Sequence, residues 1–226
     1  MHRITIVLAL ALVAGCASEP SGPVATAGAE AGVIELPSPA TSGAMSLEQA
    51  LASRRSVRDF SSERLTESEV SQLLWAAQGV TSSGGKRTAP SAGALYPLEL
   101  YVVDAAAAYH YLPEEHRLEL VAEGDLRPAL EVAALGQTAS GDAAVVFVIT
   151  AIPARTEAKY GSRAERYVKL EAGHAAQNLL LQAVALDLGA VPVGAFGDLE
   201  VQRLLNLHDD QEPLYLIAVG RPGPDD

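Results

Sequence analysis

Arg54-Arg55-Ser56-Val57-Arg58 places three guanidinium groups within five residues, and Ala89-Pro90-Ser91-Ala92-Gly93-Ala94-Leu95-Tyr96-Pro97 supplies a second, glycine-softened polar loop that begins 31 residues after Arg58. A guanidinium presents a planar fork of donors that matches phosphate oxygens, and each charge-assisted contact contributes about 1.5–3 kcal/mol. The cluster follows a short amphipathic stretch and stands out on a chain whose formal net charge is -12 at pH 7. A focused positive patch of this kind suits one small dianionic group. The acidic remainder argues against nucleic acid, where affinity grows with the number of phosphates neutralised.

The chain has 226 residues, 49% hydrophobic and 19% charged, enough for one domain with a core. Cys16 is its single cysteine. Everything after it must do without a disulfide, a cysteine-ligated zinc or iron–sulfur site, or a cysteine nucleophile. Met1-His2-Arg3 followed by an apolar run over residues 4–14 reads as a signal peptide, too short to span a bilayer. Its end, Val13-Ala14-Gly15-Cys16, resembles a bacterial lipobox, which makes Cys16 the lipidated first residue of the mature chain. Acyl chains bury at about 0.8 kcal/mol per methylene, so several of them make a stable membrane tether. Residues 17–44 are rich in Ala, Gly, Pro, Ser and Thr, carry no base and show no apolar period, which predicts a flexible spacer. The expected division is therefore a signal peptide over 1–15, a lipidated cysteine and linker over 16–44, and a domain over 45–226, facing the periplasm or the exterior. Initiation at Met45, leaving a cytoplasmic domain, is the alternative.

Ser46-Leu47-Glu48-Gln49 and Thr66-Glu67-Ser68-Glu69 both fit the reciprocal capping pattern and predict two helix starts. The first helix runs toward Arg54, and the second ends near Gly79. Strands are expected over 98–103, 109–112, 118–121, 143–150 and 214–219, the second and third joined by Pro113-Glu114-Glu115-His116. The Val-rich run over 143–150 is apolar throughout and reads as a strand buried on both faces. Helices are expected over 126–135, 164–188 and 199–205. No internal repeat is present. The resulting class is α+β, with a mainly antiparallel central sheet surrounded by helices.

The two opening motifs, together with Lys159-Tyr160-Gly161 and Leu170-Glu171-Ala172-Gly173-His174-Ala175-Ala176-Gln177-Asn178-Leu179, resemble the nitroreductase superfamily in its SagB/ThcOx-type dehydrogenase branch. The resemblance runs roughly from Ser46 to Pro222. It implies a homodimer with FMN at the interface and hydride transfer through flavin N5, with NAD(P)H as a transient donor. By the same resemblance Arg54, Arg55 and Ser56 hold the flavin phosphate and ribityl chain, and Arg58 reaches the pyrimidine edge. A cation there lowers the cost of the charge that reduced flavin carries. Pro90, Ser91, Ala92 and Ala94 match the loop that reaches flavin from the other subunit. Gly194 and Ala195 match the segment whose amides face N5 and O4, although the family often has an acid where Gly194 stands. Arg221 is a further phosphate candidate and Gln137 a further candidate for the pyrimidine edge. Lys159 and Tyr160 match a pair with catalytic standing in azoline-oxidising members, where a desolvated lysine acts as base.

Each assignment has a plainer counterpart. A basic helix end is favoured by the helix dipole, Gly189 and Gly194 fit a helix C-cap and a strand start, and Lys159 fits a solvated helix start. His174 beside Glu171 reads as a hydrogen-bonded structural histidine. The Ala-rich helix over 164–188 serves equally as a dimer interface or as core packing. Ser91 lacks the leading glycine and preceding strand of a hydrolase elbow. His110, His116 and His208 show no zinc spacing, and neither a phosphate loop nor a dinucleotide fingerprint is present. Two rivals remain: an azoline dehydrogenase acting on modified peptides, and a non-catalytic lipid-anchored binding module.

Overall fold

The computed structural model describes residues 32–224. The signal-peptide reading and Cys16 lie outside the described residues. Seven strands form one sheet: β1 (Val33–Glu35), β2 (Leu98–Val103), β3 (Ala107–Leu112), β4 (Arg117–Glu123), β5 (Val145–Ala151), β6 (Gly189–Val193) and β7 (Glu212–Gly220). Their spatial order is β1-β4-β3-β2-β5-β7-β6, and every neighbouring pair is antiparallel. The helices are α1 (Leu47–Ser53), α2 (Glu67–Gln78), α3 (Arg127–Ala133), α4 (Ala139–Asp142), α5 (Ala154–Tyr160), α6 (Ala164–Ala185) and α7 (Asp198–Leu204). The α+β class with an antiparallel sheet among helices is the one expected.

β5 explains the layering. Side chains alternate across a strand, so Val145, Phe147, Ile149 and Ala151 enter one core while Val146 and Val148 enter the other. The first core is closed by Leu73, Leu74 and Ala77 of α2 and by the small and aliphatic face of α6, from Val168 to Ala183. The second is closed by Leu130 and Ala133 of α3, Ala139 of α4 and Val201 of α7. A strand sandwiched this way has no solvent face, which is why its sequence is apolar without alternation.

Both capping boxes form. Ser46 Oγ accepts from Gln49 N at 3.2 Å while Gln49 Oε1 accepts from Ser46 N at 2.9 Å, and Thr66 and Glu69 repeat the exchange at 3.2 and 2.8 Å. Four short elements, β1, α4, α5 and β6, go beyond the sequence reading. Gly189 is not a helix C-cap but the first residue of β6, and the left-handed residue after α6 is Asp187, with φ 57°.

The expected spacer over 16–44 needs correction where it is described. Val33–Glu35 pairs with β4 as an edge strand, Leu36 N donates to His116 O at 3.3 Å, and Ala40 exchanges two hydrogen bonds with the Gln72 amide at 2.8 and 3.0 Å. Composition suggested a loose chain, but the open edge of β4 and the buried polar groups Ser71 and Gln72 of α2 supply partners that satisfy this backbone. The folded unit therefore begins before Met45. A chain started at Met45 would leave Gln72, Ser71 and the edge of β4 without these partners.

Candidate functional site

Residues 54–61 are sewn along the edge of the sheet. α1 stops at Ser53, and Arg54 turns the chain out of the helix with ψ 122°. Ser56 then forms a parallel bridge to Ala190, and Val57 N donates to Ala190 O at 3.1 Å. Gly189 makes this approach possible, since a Cβ there would lie 2.5 Å from Val57 Cγ1. Further on, Phe60 bridges Pro222, and Ser61 N donates to Arg221 O at 3.0 Å.

The three arginines diverge. Arg55 folds back, its Nη1 donating to the carbonyls of Ala52 at 3.0 Å and Arg54 at 2.8 Å, so it caps the C-terminus of α1 as the plainer reading proposed. Arg54 is half-buried, and among the described residues its guanidinium makes no ion pair or hydrogen bond. Arg58 is exposed, with Nη1 3.4 Å from Ser56 O. It lines a cavity of about 280 Å³ with Gln137, Thr138, Val191, Pro192 and Val193.

Gln137 follows a tight turn in which Leu135 and Gly136 have φ 60° and 78°. Its Nε2 donates to Ala134 O at 2.9 Å and to Ala195 O at 3.0 Å. The turn thus ties the end of α3 to the segment after β6. Gly194 and Ala195 are exposed, and a Cβ on Gly194 would meet only the Tyr215 ring, at 3.6 Å. No protein neighbour demands glycine there. Arg58, Gln137, Gly194 and Ala195 therefore form one connected group with the bridged arginine segment.

A second group gathers around the Pro90 loop. Gly93, Ala94 and Tyr96 all have positive φ, at 65°, 54° and 46°. Such conformations cost non-glycine residues about 1–3 kcal/mol each unless the surroundings hold them. Ser91 Oγ accepts from Tyr96 N at 2.9 Å, Ser91 O from Ala94 N at 3.1 Å, and the buried Glu171 carboxylate from Ala92 N at 2.9 Å. Pro90 and Ala94 remain exposed. Lys159 and Tyr160, at the end of α5, pack over Gly93: a Cβ there would lie 2.9 Å from Lys159 Nζ and 3.0 Å from Tyr160 Oη. Tyr160 also meets Tyr167 edge-on at 5.0 Å.

The first group is built on β6 and the turn after α3, the second on the end of α5 and the buried face of α6. Lys159 is exposed rather than desolvated in the single chain, because the short α5 lies on the surface. His174 is exposed too, and the partner assigned to it, Glu171, faces Ala92 instead. Arg221 is bound by two carboxylates, Glu63 at 3.2 Å and Glu69 at 2.7 Å, fastening the end of β7 to the start of α2. A phosphate would reach it only in competition with them. Glu171, Tyr96 and Arg155 escaped the sequence reading as loop supports; a lone acid on the small-residue face of α6 was the one visible signal. A larger cavity, about 420 Å³, is lined by Ile34, Val70, Tyr109, Leu118, Arg127 and Asp142 among others, and none of the site residues read from sequence touches it.

Comparison with known proteins identifies the family and the fold. A Methanocaldococcus jannaschii protein described as a candidate nitroreductase is 44% identical over 182 residues, covering 77% of this chain and 90% of its own. The crystal structure of a candidate nitroreductase from Ralstonia eutropha superposes with a TM-score of 0.76 at 33% identity, over 84% of this chain and 90% of that one. The Escherichia coli microcin synthetase McbBCD complex with truncated pro-MccB17 bound contains a chain matching at TM-score 0.68 and 26% identity, over 75% of this chain and 70% of that one. Residues 51–221, from the middle of α1 to the arginine that closes β7, carry the signature of the Nitroreductase family, and to that family the chain belongs.

Proposed function

We propose that the chain is an FMN-dependent oxidoreductase that works as a homodimer on a small-molecule substrate. The observation that carries this reading is the bridge from Ser56 and Val57 to Ala190, which sets Arg54 and Arg58 beside a strand whose far end presents Gly194 and Ala195. Family membership supports an oxidoreductase. FMN, when bound, supplies hydride transfer at its N5 atom.

The residues present fit that group. Arg54 offers a guanidinium with the fork geometry for phosphate, and Ser56 adds a hydroxyl nearby. Arg58 brings a fixed cation to the cavity it shares with Gln137, where it would stabilise negative charge on a pyrimidine edge. Gln137 holds Ala195 by its carbonyl, leaving the amides of Gly194 and Ala195 for an acceptor. The open space at Gly194 accommodates a planar ring where a side chain would intrude. Arg221 joins the phosphate set only if phosphate displaces Glu63 or Glu69.

The exposure of Pro90 and Ala94 supports service of this loop to a partner's site, as the family resemblance implies. On this reading Pro90, Ser91, Ala92 and Ala94 complete the partner's cofactor site. NAD(P)H would enter and leave over the same face before substrate binds. A lipid anchor at Cys16, with the linker leading into β1, would hold the dimer at the cell envelope.

A second reading is favoured by one specific observation: Lys159 and Tyr160 sit on the glycine of that loop, and would accompany it into a partner's site if the loop serves one. With the resemblance to the microcin synthetase chain, this supports dehydrogenation of azoline rings in a modified peptide. There Lys159 would take a proton as hydride leaves the ring.

The test is the visible spectrum of the purified chain after mixing with excess FMN and gel filtration. Flavin bands on a dimer-sized peak are expected. A colourless peak would overturn the oxidoreductase reading in favour of a binding module. Flavin bands together with oxidation of a synthetic thiazoline peptide, lost in Lys159→Ala, would select the second reading over the first.

A further inference from the structure

We propose that Arg155, braced by Glu99, is the positioning residue that fixes the Pro90 loop for the partner's cofactor site. The proposal rests on the flavin reading above for its consequence, but its structural half stands by itself.

The loop must be held, because Ala94 and Tyr96 are non-glycine residues in the left-handed region and Gly93 lies between them and Ala92 in the same region. Tyr96 stands two residues before β2 and takes contacts at every polar atom. Its amide donates to Ser91 Oγ at 2.9 Å, its hydroxyl accepts from Arg87 N at 3.3 Å, and its ring lies 4.6 Å beneath the Arg87 guanidinium. Its carbonyl accepts from Arg155 Nη1 at 3.1 Å.

Arg155 reaches that carbonyl from the first turn of α5. The reach is set by the backbone: Ile152 N donates to Pro97 O at 2.8 Å, so α5 starts where the loop enters the sheet. The same Nη1 pairs with Glu99 Oε1 at 2.5 Å, and Glu99 Oε2 meets His110 Nε2 at 2.7 Å. The His110 ring is stacked on Tyr101 at 4.8 Å, so the brace ends in the body of the sheet. Glu99 is only 13% exposed in its side chain, whereas Arg155 is 40% exposed. A half-exposed arginine would wander without that carboxylate. Arg155 at one end of α5 and Lys159 with Tyr160 at the other therefore grip the loop at Tyr96 and at Gly93.

Arg155 does not touch the cofactor in this scheme. It acts through the loop, so its loss changes occupancy of the partner's site without removing a ligand.

The experiment uses the full chain and four variants: Arg155→Met, Arg155→Lys, Glu99→Gln and the Met/Gln double. Hydrogen–deuterium exchange is read over residues 90–97 without added flavin, and FMN dissociation constants are read by fluorescence. Arg155→Met is expected to speed exchange in the loop at least tenfold and raise the FMN dissociation constant at least fivefold, with the gel-filtration volume unchanged. Arg155→Lys keeps a charge for Glu99 and one donor for Tyr96 and should recover most of both effects. Glu99→Gln should act in the same direction, and the double variant should be no worse than Arg155→Met, since both act on one contact. Unchanged exchange in Arg155→Met overturns the proposal. So does faster exchange with an FMN constant within twofold of the parent, or additive effects in the double variant. If the parent binds no FMN yet loop exchange responds as stated, the flavin reading fails and Arg155 stands as the loop's positioning residue.

Discussion

Arg54 and Arg58 are two residues of one motif with different surroundings, and they should fail differently. If the flavin lies as proposed, Arg54→Met should raise the FMN dissociation constant about ten- to a hundredfold, the range for one charge-assisted phosphate contact of about 1.5–3 kcal/mol. On the same proposal Arg58→Met should retain much of the flavin but lower its midpoint potential and slow its reduction, because the proposed placement sets that cation on the pyrimidine side. Potentiometry and stopped-flow reduction separate the two; equal losses of affinity with an unchanged potential would refute the division. Gly194 offers a complementary test. The space beside it is bounded by protein only at Tyr215, so Gly194→Val should leave the unfolding midpoint nearly unchanged while flavin retention on a desalting column falls. A variant that keeps its flavin would show that the ring lies elsewhere.

At the scale of elements, Gly189 decides whether the arginine segment can lie on β6. Gly189→Ala forces Val57 to move, and overpacking of this kind costs about 1–3 kcal/mol. Urea unfolding should register that loss, and FMN affinity should fall with it because residues 54–58 depend on the same bridge. The elements legible in the sequence were those whose signal is local. Four residues suffice to write a capping box at Ser46 or Thr66, and β5 declares itself by an unbroken apolar run. β6 was hidden because Gly189 and Pro192 are both poor strand residues; proline is tolerated there because β6 ends the hydrogen-bonded order of strands. β1 was hidden because three residues in spacer-like composition acquire strand geometry only from the edge of β4. The site divides along the same line. The arginine cluster and the Pro90 loop were visible as motifs. That Lys159 and Tyr160 rest on Gly93, or that Glu171 meets Ala92, follows from packing between distant segments and has no spacing rule.

The whole molecule carries a pH dependence through His116. Its Nδ1 meets Tyr111 Oη at 2.8 Å and its Nε2 meets Ser71 Oγ at 2.7 Å and Pro37 O at 3.1 Å, joining the N-terminal strap, α2 and the β3–β4 turn. Burial lowers its pKa, partly offset by the hydrogen bond to Pro37, so the folded state favours neutral imidazole. In the unfolded chain histidine titrates near about 6.5. The unfolded state thus binds more protons just below that value, and stability rises with pH across the window. The contribution is complete above the unfolded value and is lost as pH falls through the lower folded one. Melting temperatures should therefore drop between pH 7.5 and 5.5, and His116→Gln should flatten that drop. Identical slopes in parent and variant would refute the assignment. Glu99 falls outside this window. Burial pushes its carboxyl up, but the His110 hydrogen bond and the Arg155 charge more than offset that, so its effect appears only at more acid pH.

The strap over residues 32–41 also determines how the protein bears mechanical load. A pull applied to the chain ahead of Gly32 reaches β1 first, and β1 is three residues long. Next in series come Pro37, held by Ser71 and His116, and Ala40, held by Gln72. Tension would peel these contacts away one after another before reaching α1 and the arginine segment behind it. The strap then acts as a mechanical fuse, lengthening under force while residues 54–58 keep their grip on β6.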